Sequence, residues 1–78
     1  MLLDKKRLHK DTNYAIAMFV KAMEEIQYDN KSDLDVMAYC EIDRQDMDNL
    51  VYANLVEARA EYYARRNSYE INVIERVS

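Results

Sequence analysis

Apolar residues recur at helical spacing in the first third of the chain. The later members lie three, four, seven and ten positions after the first, which places them on one face of an amphipathic helix. We expect this helix over residues 11–29, with Asp11 or Thr12 as its N-cap and Asn30 in the left-handed conformation that closes it. The apolar positions are Ile16, Phe19, Val20, Met23 and Ile26.

A second apolar segment follows a helix-start signal at Ser32. Asp35 stands three residues after Ser32, the spacing of a capping box with Asp in place of Glu. This pattern predicts a helix over residues 33–42. The four polar residues that come next either end this helix, with Asp43 capping a new one, or form a solvated part of one long helix over 32–66. We favour the break. The apolar residues of the segment are Leu34, Val36, Met37, Ala38, Tyr39, Cys40 and Ile42.

The clearest helical pattern covers residues 44–66. One apolar stripe predicts the face that packs in the core, and a second stripe on the neighbouring face carries tyrosines and arginines. We expect the helix to stop at Asn67 and Ser68, before a tail over 68–78 whose spacing fits either a helix or a strand. The core stripe is Met47, Leu50, Val51, Leu55, Ala58 and Tyr62; the second stripe is Tyr52, Val56, Arg59, Tyr63 and Arg66.

The 78 residues include no glycine and no proline. Ordinary usage of roughly 7% and 5% would give about nine of the two together. Because glycine supplies positive φ and proline fixes turns, the chain has little material for hairpins or bulges. We therefore predict an all-α fold: one small three-helix domain over residues 1–78, with a basic N-terminal arm over 1–10.

Charge is unevenly distributed along the chain. Residues 1–23 hold five cations and two acids, whereas residues 24–48 hold nine acids and two cations; the net charge of the whole chain is −4. Many of these acids stand where helices begin, so we favour a capping role for them. The alternative is an acidic surface that imitates nucleic acid and occupies a basic groove of a partner. The candidates for that surface are Asp33, Asp35, Glu41, Asp43, Asp46 and Asp48.

Groups that support catalysis are few. The single histidine, His9, lies in the basic arm and is expected to be exposed to solvent, and the single cysteine, Cys40, is expected to be a buried, inert thiol. One histidine and one cysteine cannot build the usual zinc site, and phosphate-binding loops need glycine. We expect no enzymatic activity, no cofactor and no bound metal. With no signal peptide or apolar span, a cytoplasmic location is expected.

Seven tyrosines in so short a chain direct attention to its surface. Tyrosine and arginine are enriched where proteins bind one another, so we select Tyr52, Arg59, Tyr63 and Arg66 as partner-binding residues. The alternative is that these tyrosines pack at the edge of a small core with their hydroxyl groups in water. A homodimer in which the third helix pairs with its copy would also add to the core.

Three functions remain compatible with the sequence. The first is a non-catalytic protein-binding module: an adaptor, a regulator or a phage-type inhibitor that occludes its partner. The second is a helical DNA- or RNA-binding regulator that uses the basic arm and Arg59, Arg65 and Arg66. The sequence pI near 4.9 weighs against it, because nucleic-acid-binding domains are typically basic. The third is a structural assembly protein. No small-molecule substrate and no membrane is expected as a partner.

Overall fold

The computed structural model describes the backbone of residues 2–77 and the side chains of residues 2–67. It is an all-α fold, as the sequence predicts, with no strand in the described part of the chain. Three helices of seven residues or more correspond to the three that were expected, and a helix of four residues precedes them. The helices are α1 (Lys5–Leu8), α2 (Thr12–Ile26), α3 (Asp33–Tyr39) and α4 (Asn49–Val77), with 3-10 turns at Tyr28–Asn30 and Arg44–Asp46.

Aspartates begin the first two helices. The Asp4 carboxylate accepts hydrogen bonds from the Lys6 and Arg7 amides at 3.1 and 3.3 Å, and that of Asp11 accepts one from the Tyr14 amide at 3.1 Å. These bonds satisfy amide groups that have no partner within the helix. Of the two expected caps for α2, Asp11 is therefore the one used.

Two residues other than glycine close helices in the left-handed conformation. Gln27, with φ of 56°, ends α2, and Glu41, with φ of 58°, follows the end of α3. The conformation costs a side-chain-bearing residue about 1–2 kcal/mol. The prediction that Asn30 takes this role is wrong, because the chain turns three residues earlier, and Asn30 lies in the 3-10 turn.

The favoured break between the second and third predicted helices is confirmed. Asp43 and Asp46 cap each other reciprocally, each carboxylate accepting from the other residue's amide, at 3.1 and 3.2 Å. This closed pair forms a separate 3-10 turn instead of the first turn of a long helix. Helix α4, the third of the predicted helices, consequently begins at Asn49 and not at residue 44. The Asp48 carboxylate accepts a hydrogen bond from the Val51 amide at 2.8 Å.

The predicted stop of the third helix at Asn67 and Ser68 is wrong. Helix α4 continues through them to Val77. Neither residue is a strong helix breaker, and no glycine or proline follows to end the helix. The strand alternative for the tail does not occur, since the backbone of residues 69–77 is helical. The side chains of the tail lie outside the described residues.

The core lies mainly between α2 and α4, with α3 packed on α2. Leu8 of α1 is completely buried, so the segment expected as a basic arm is folded against the core. Leu50, expected in the core stripe, is 43% exposed because it lies at the edge of the first turn of α4. The most deeply buried large side chains are Phe19, Leu8, Met23, Leu55, Val36, Val51 and Cys40.

Candidate partner-binding surface

One side of α4 faces solvent with almost no charge. Its residues at positions 53, 56, 60 and 63 are exposed and spaced three, four and three apart, opposite the buried stripe of the same helix. Tyr52 stands beside them. We call this surface the outer face of α4 and define it as Tyr52, Ala53, Val56, Ala60 and Tyr63. Tyr52, Val56 and Tyr63 are 52%, 40% and 38% exposed.

A cluster of three tyrosines supports one end of the outer face. The ring centroids of Tyr28 and Tyr62 are 5.9 Å apart, and Tyr63 lies 6.0 Å from Tyr28 and 5.5 Å from Tyr62. Tyr28 and Tyr62 are buried, whereas Tyr63 remains partly exposed. Edge-to-face and tilted contacts of this kind hold a ring in place. Tyr63 is therefore positioned by the interior and still presents part of its ring to solvent.

Arg59 connects α4 to the start of α3. Its guanidinium forms an ion pair with Asp33, and the Tyr28 hydroxyl donates to the same carboxylate at 2.6 Å. Burial, together with this carboxylate, raises the pKa of Tyr28 to about 12. Asp33 in turn raises the pKa of Arg59 through their hydrogen bond. Arg59 thus joins two helices by charge and does not extend freely into solvent.

The two arginines near residue 66 also pair within the chain. Arg66 forms an ion pair with Asp29, which follows α2. Arg65 contacts Glu24 at 3.2 Å and Glu61 at 2.7 Å. Of the four residues selected from the sequence, Tyr52 and Tyr63 therefore lie on the outer face, whereas Arg59 and Arg66 lie along its border and bind neighbouring acids. Sequence reasoning did not identify Tyr28 or Asp29, because only the folded chain brings them to α4.

The predicted acidic surface is divided among separate local structures. Asp35 accepts from the Ser32 amide at 2.8 Å, and this bond lowers the pKa of the carboxyl. Asp33 binds Arg59, as described above. Glu41 is exposed, in the left-handed turn after α3. The remaining three, Asp43, Asp46 and Asp48, gather at the start of α4.

Those acids at the start of α4 meet the basic N-terminal segment. The Lys5 ammonium lies 3.3 Å from an Asp46 carboxylate oxygen. His9 Nδ1 lies 2.7 Å from Asp48 Oδ2, and His9 Nε2 lies 3.9 Å from Asp46 Oδ1. We expected His9 to be exposed to solvent: its side chain is 34% exposed, and the folded chain also places the imidazole between two carboxylates. The pKa values of Asp46 and Asp48 are both lowered. Hydrogen bonds from backbone amides are the largest cause, and the contacts with Lys5 and His9 contribute further.

Cys40 and an open cavity are the remaining candidates for a chemical site, and neither has strong support. Cys40 is buried, and burial raises the pKa of its thiol to about 11, which suppresses the nucleophilic thiolate. An open cavity of about 210 Å³ is lined by Glu24, Tyr62, Arg65 and Arg66. Its charged side chains pair with each other or with adjacent acids. It therefore offers a bound ligand no uncompensated charge.

Two kinds of site are absent from the residues that the structure describes. No helix there has both the length and the apolar character needed to cross a membrane. Among residues 2–67, whose side chains are described, no three histidine, cysteine, aspartate or glutamate side chains come together as a metal site would require. No protein-family model, curated protein or solved structure matches the chain.

Proposed function

We propose that this chain is a small non-catalytic protein-binding module, an adaptor, regulator or inhibitor that occludes its partner through the outer face of α4. The observation that carries the proposal is the exposed apolar stripe on that face. Tyr52, Val56 and Tyr63 all keep more than a third of their surface in water. Single exposed apolar residues are common, but a continuous row along one helix is typical of a binding surface.

The spacing of the outer face suits a helix of the partner. Positions 53, 56, 60 and 63 follow the three–four alternation by which one helix packs along another. Ala53 and Ala60 are small, so a second backbone can approach closely, while Val56 and Tyr63 supply side chains that fit between the partner's residues. Glu57 is the one charged residue on this side between positions 52 and 64.

Binding on this face requires little rearrangement of the chain. Tyr63 is held by Tyr28 and Tyr62, so only a small loss of side-chain freedom accompanies its burial. Full burial of a large apolar side chain contributes roughly 1.5–3 kcal/mol, and about 40% of that remains available at Val56 and Tyr63. Each of these residues therefore contributes about 1 kcal/mol to binding, or roughly fivefold in affinity.

The acidic version of the proposal has less support than the apolar one. Asp35, Asp43 and Asp48 already accept hydrogen bonds from backbone amides, and Asp33 binds Arg59. A partner's basic groove would have to compete with these internal bonds. A partner that binds the outer face meets no such competition.

The alternative of a DNA- or RNA-binding regulator depends on cations that mostly have acidic neighbours. Arg59, Arg65 and Arg66 each pair with a carboxylate, and Lys5 lies beside Asp46. Ion pairs of this kind reduce the positive potential that attracts phosphate groups. The third possibility, a structural assembly protein, would use the same outer face to bind a second copy of the chain.

A charge placed in the middle of the outer face tests the proposal. Ala60→Arg introduces a long cationic side chain between Val56 and Tyr63, and Ala17→Arg makes the same change at an exposed position of α2. The tagged chain and both variants are used to capture proteins from a lysate of the source cells after nuclease treatment and a wash at moderate salt. Circular dichroism establishes that all three retain equal helix content. We avoid replacing Tyr63 and Arg66 together, because that change also removes internal contacts.

The proposal predicts that one protein is retained by the wild-type chain and by Ala17→Arg, and that Ala60→Arg retains at least tenfold less. Equal retention by all three proteins would contradict it. Retention of nucleic acid that is lost as salt rises would favour the regulator instead. A dimer by light scattering that Ala60→Arg converts to a monomer, with no other protein captured, would favour the assembly role.

A further inference from the structure

The outer face of α4 continues at each end to an exposed asparagine. Successive exposed positions lie four, three, four, three and four residues apart, which keeps all six on one side of the helix. This spacing is the same when it is read in either direction. The residues are, in order, Asn49, Ala53, Val56, Ala60, Tyr63 and Asn67. Two copies of this stripe that run antiparallel can therefore meet level by level.

The sizes of the side chains on this stripe complement the same stripe in reverse. In an antiparallel pair of α4 helices centred on position 58, Ala53 lies opposite Tyr63 of the second copy, and Val56 lies opposite Ala60 of the second copy. Each of these levels combines a small side chain with a large one, the arrangement by which facing helices fill the space between them. A parallel pair would place each residue opposite its own copy, so that alanine faces alanine and tyrosine faces tyrosine.

We propose that the outer face of α4 binds a second copy of this chain in an antiparallel, twofold pair. This pairing rests on the binding role proposed above for the same face, and it specifies a partner that fits that face. A twofold pair uses the same surface on both copies, and such pairs are the commonest homo-oligomers. The buried stripe of α4 packs on α2 from the opposite side of the helix, so a second α4 can approach the outer face without disturbing the core.

The area of this surface indicates a weak pair. Tyr52 and Tyr63 are 52% and 38% exposed, so together they offer about 180 Å² to a second copy when a fully exposed tyrosine presents about 200 Å². With Val56, the two alanines and the two asparagines, each copy buries roughly 400 Å², which gives roughly 800 Å² for the pair. Stable complexes bury about 1,200 Å² or more, and transient ones bury less. The face is therefore free at low concentrations of the chain and remains available to another protein.

Glu57, the charged residue that borders this face, determines how the pair responds to salt. In the antiparallel pair Glu57 lies one position from the twofold axis, so the carboxylates of the two copies approach each other along the same border. Like charges repel, and salt screens the repulsion. The antiparallel pair should therefore tighten at high salt and in Glu57→Gln. In a parallel pair Glu57 would instead face the border that carries Arg59, and the same changes would weaken the pair.

Sedimentation equilibrium of the purified full chain, from about 10 µM to about 1 mM, tests the pairing in the concentration range of weak complexes. Three variants exchange the sizes of facing side chains at exposed positions: Val56→Ala, Ala60→Val, and both changes together. In the antiparallel pair the first leaves alanine opposite alanine, the second places valine opposite valine, and the double variant restores one of each. Circular dichroism establishes that all the proteins retain equal helix content.

We expect the wild-type chain to be monomeric near about 10 µM and mostly dimeric near about 1 mM. Each pair loses two valine contacts in Val56→Ala, so at about fivefold for each contact the dissociation constant should rise roughly 25-fold. Ala60→Val overfills two levels and should raise the dissociation constant about fivefold or more. The double variant should return to within about fivefold of the wild type, because every level again combines a small and a large side chain.

A wild-type chain that stays monomeric over the whole concentration range would overturn the pairing. A tighter pair in Ala60→Val would also overturn it, because filling an alanine–alanine level is the behaviour of a parallel pair, and so would a double variant no tighter than Val56→Ala. No other protein is present in these measurements. A monomeric result would therefore contradict the pairing alone, whereas a failure to capture a protein from lysate, with the pair intact, would contradict only the proposed capture of another protein.

Discussion

The leucines at positions 50 and 55 of α4 provide a matched test of where the core lies. Leu55 is completely buried between α4 and the rest of the core, whereas Leu50 is 43% exposed although it belongs to the same predicted apolar stripe. Leu55→Ala removes buried methyl groups and leaves a cavity, at a cost of about 2–5 kcal/mol. Leu50→Ala removes groups that are half solvated, so it costs about 1 kcal/mol, partly offset by the higher helix propensity of alanine.

Urea unfolding followed by circular dichroism measures both costs. A domain of this size has a free energy of unfolding of about 4–12 kcal/mol, so Leu55→Ala removes a large share of it. With a urea slope of about 1 kcal/mol per molar, the unfolding midpoint should fall by about 2 M or more for Leu55→Ala and by about 1 M or less for Leu50→Ala. Equal shifts for the two variants would refute the assignment of Leu55 to the core and Leu50 to its edge.

Three titrating side chains, Asp35, Asp48 and Tyr28, make the stability of the fold depend on pH. Hydrogen bonds from backbone amides lower the pKa values of Asp35 and Asp48 in the folded chain. The stability that these carboxylates contribute is therefore present above pH 4 and is lost as pH falls through the lowered pKa values. The melting temperature should decline between pH 4 and pH 2, and Asp35→Asn should reduce that decline. Burial raises the pKa of Tyr28 to about 12, so its contribution is present below pH 10 and is lost as pH rises towards 12. A hydrogen bond to Glu25 also raises the pKa of Tyr39, so absorbance at 295 nm should show late titration to which Tyr28 contributes. Tyr28→Phe should reduce the amplitude of that late titration by one tyrosine; an unchanged late amplitude in the variant would contradict the assignment to Tyr28.

The helices themselves were largely predictable because their signals are local. The apolar period around Phe19 and the aspartate before it were sufficient to place α2, and the polar break at Asp43 was sufficient to separate α3 from α4. The ends were harder to predict. Gln27 and Glu41 have side chains that do not favour the left-handed conformation, so tertiary packing decides where they turn.

The outer face of α4 was predictable in part. Periodicity alone placed Tyr52 and Tyr63 on the second stripe beside the core. The pairing of Arg59 with Asp33 and of Arg66 with Asp29 depends on how α4 lies against the chain around α3, and no local pattern contains that information. The same holds for His9, whose carboxylate neighbours lie about forty residues away.

Photocrosslinking from the outer face of α4 shows whether a partner protein binds at that face. A photoreactive phenylalanine analogue replaces Ala60 in one protein and Ala17 in a matched control, since both positions are exposed on helices. Each protein is irradiated in nuclease-treated lysate of the source cells. We expect a crosslink to one distinct protein from position 60 and none from position 17. A crosslink to that protein from position 17 alone would contradict it, and so would capture of a protein by the wild-type chain with no crosslink from position 60.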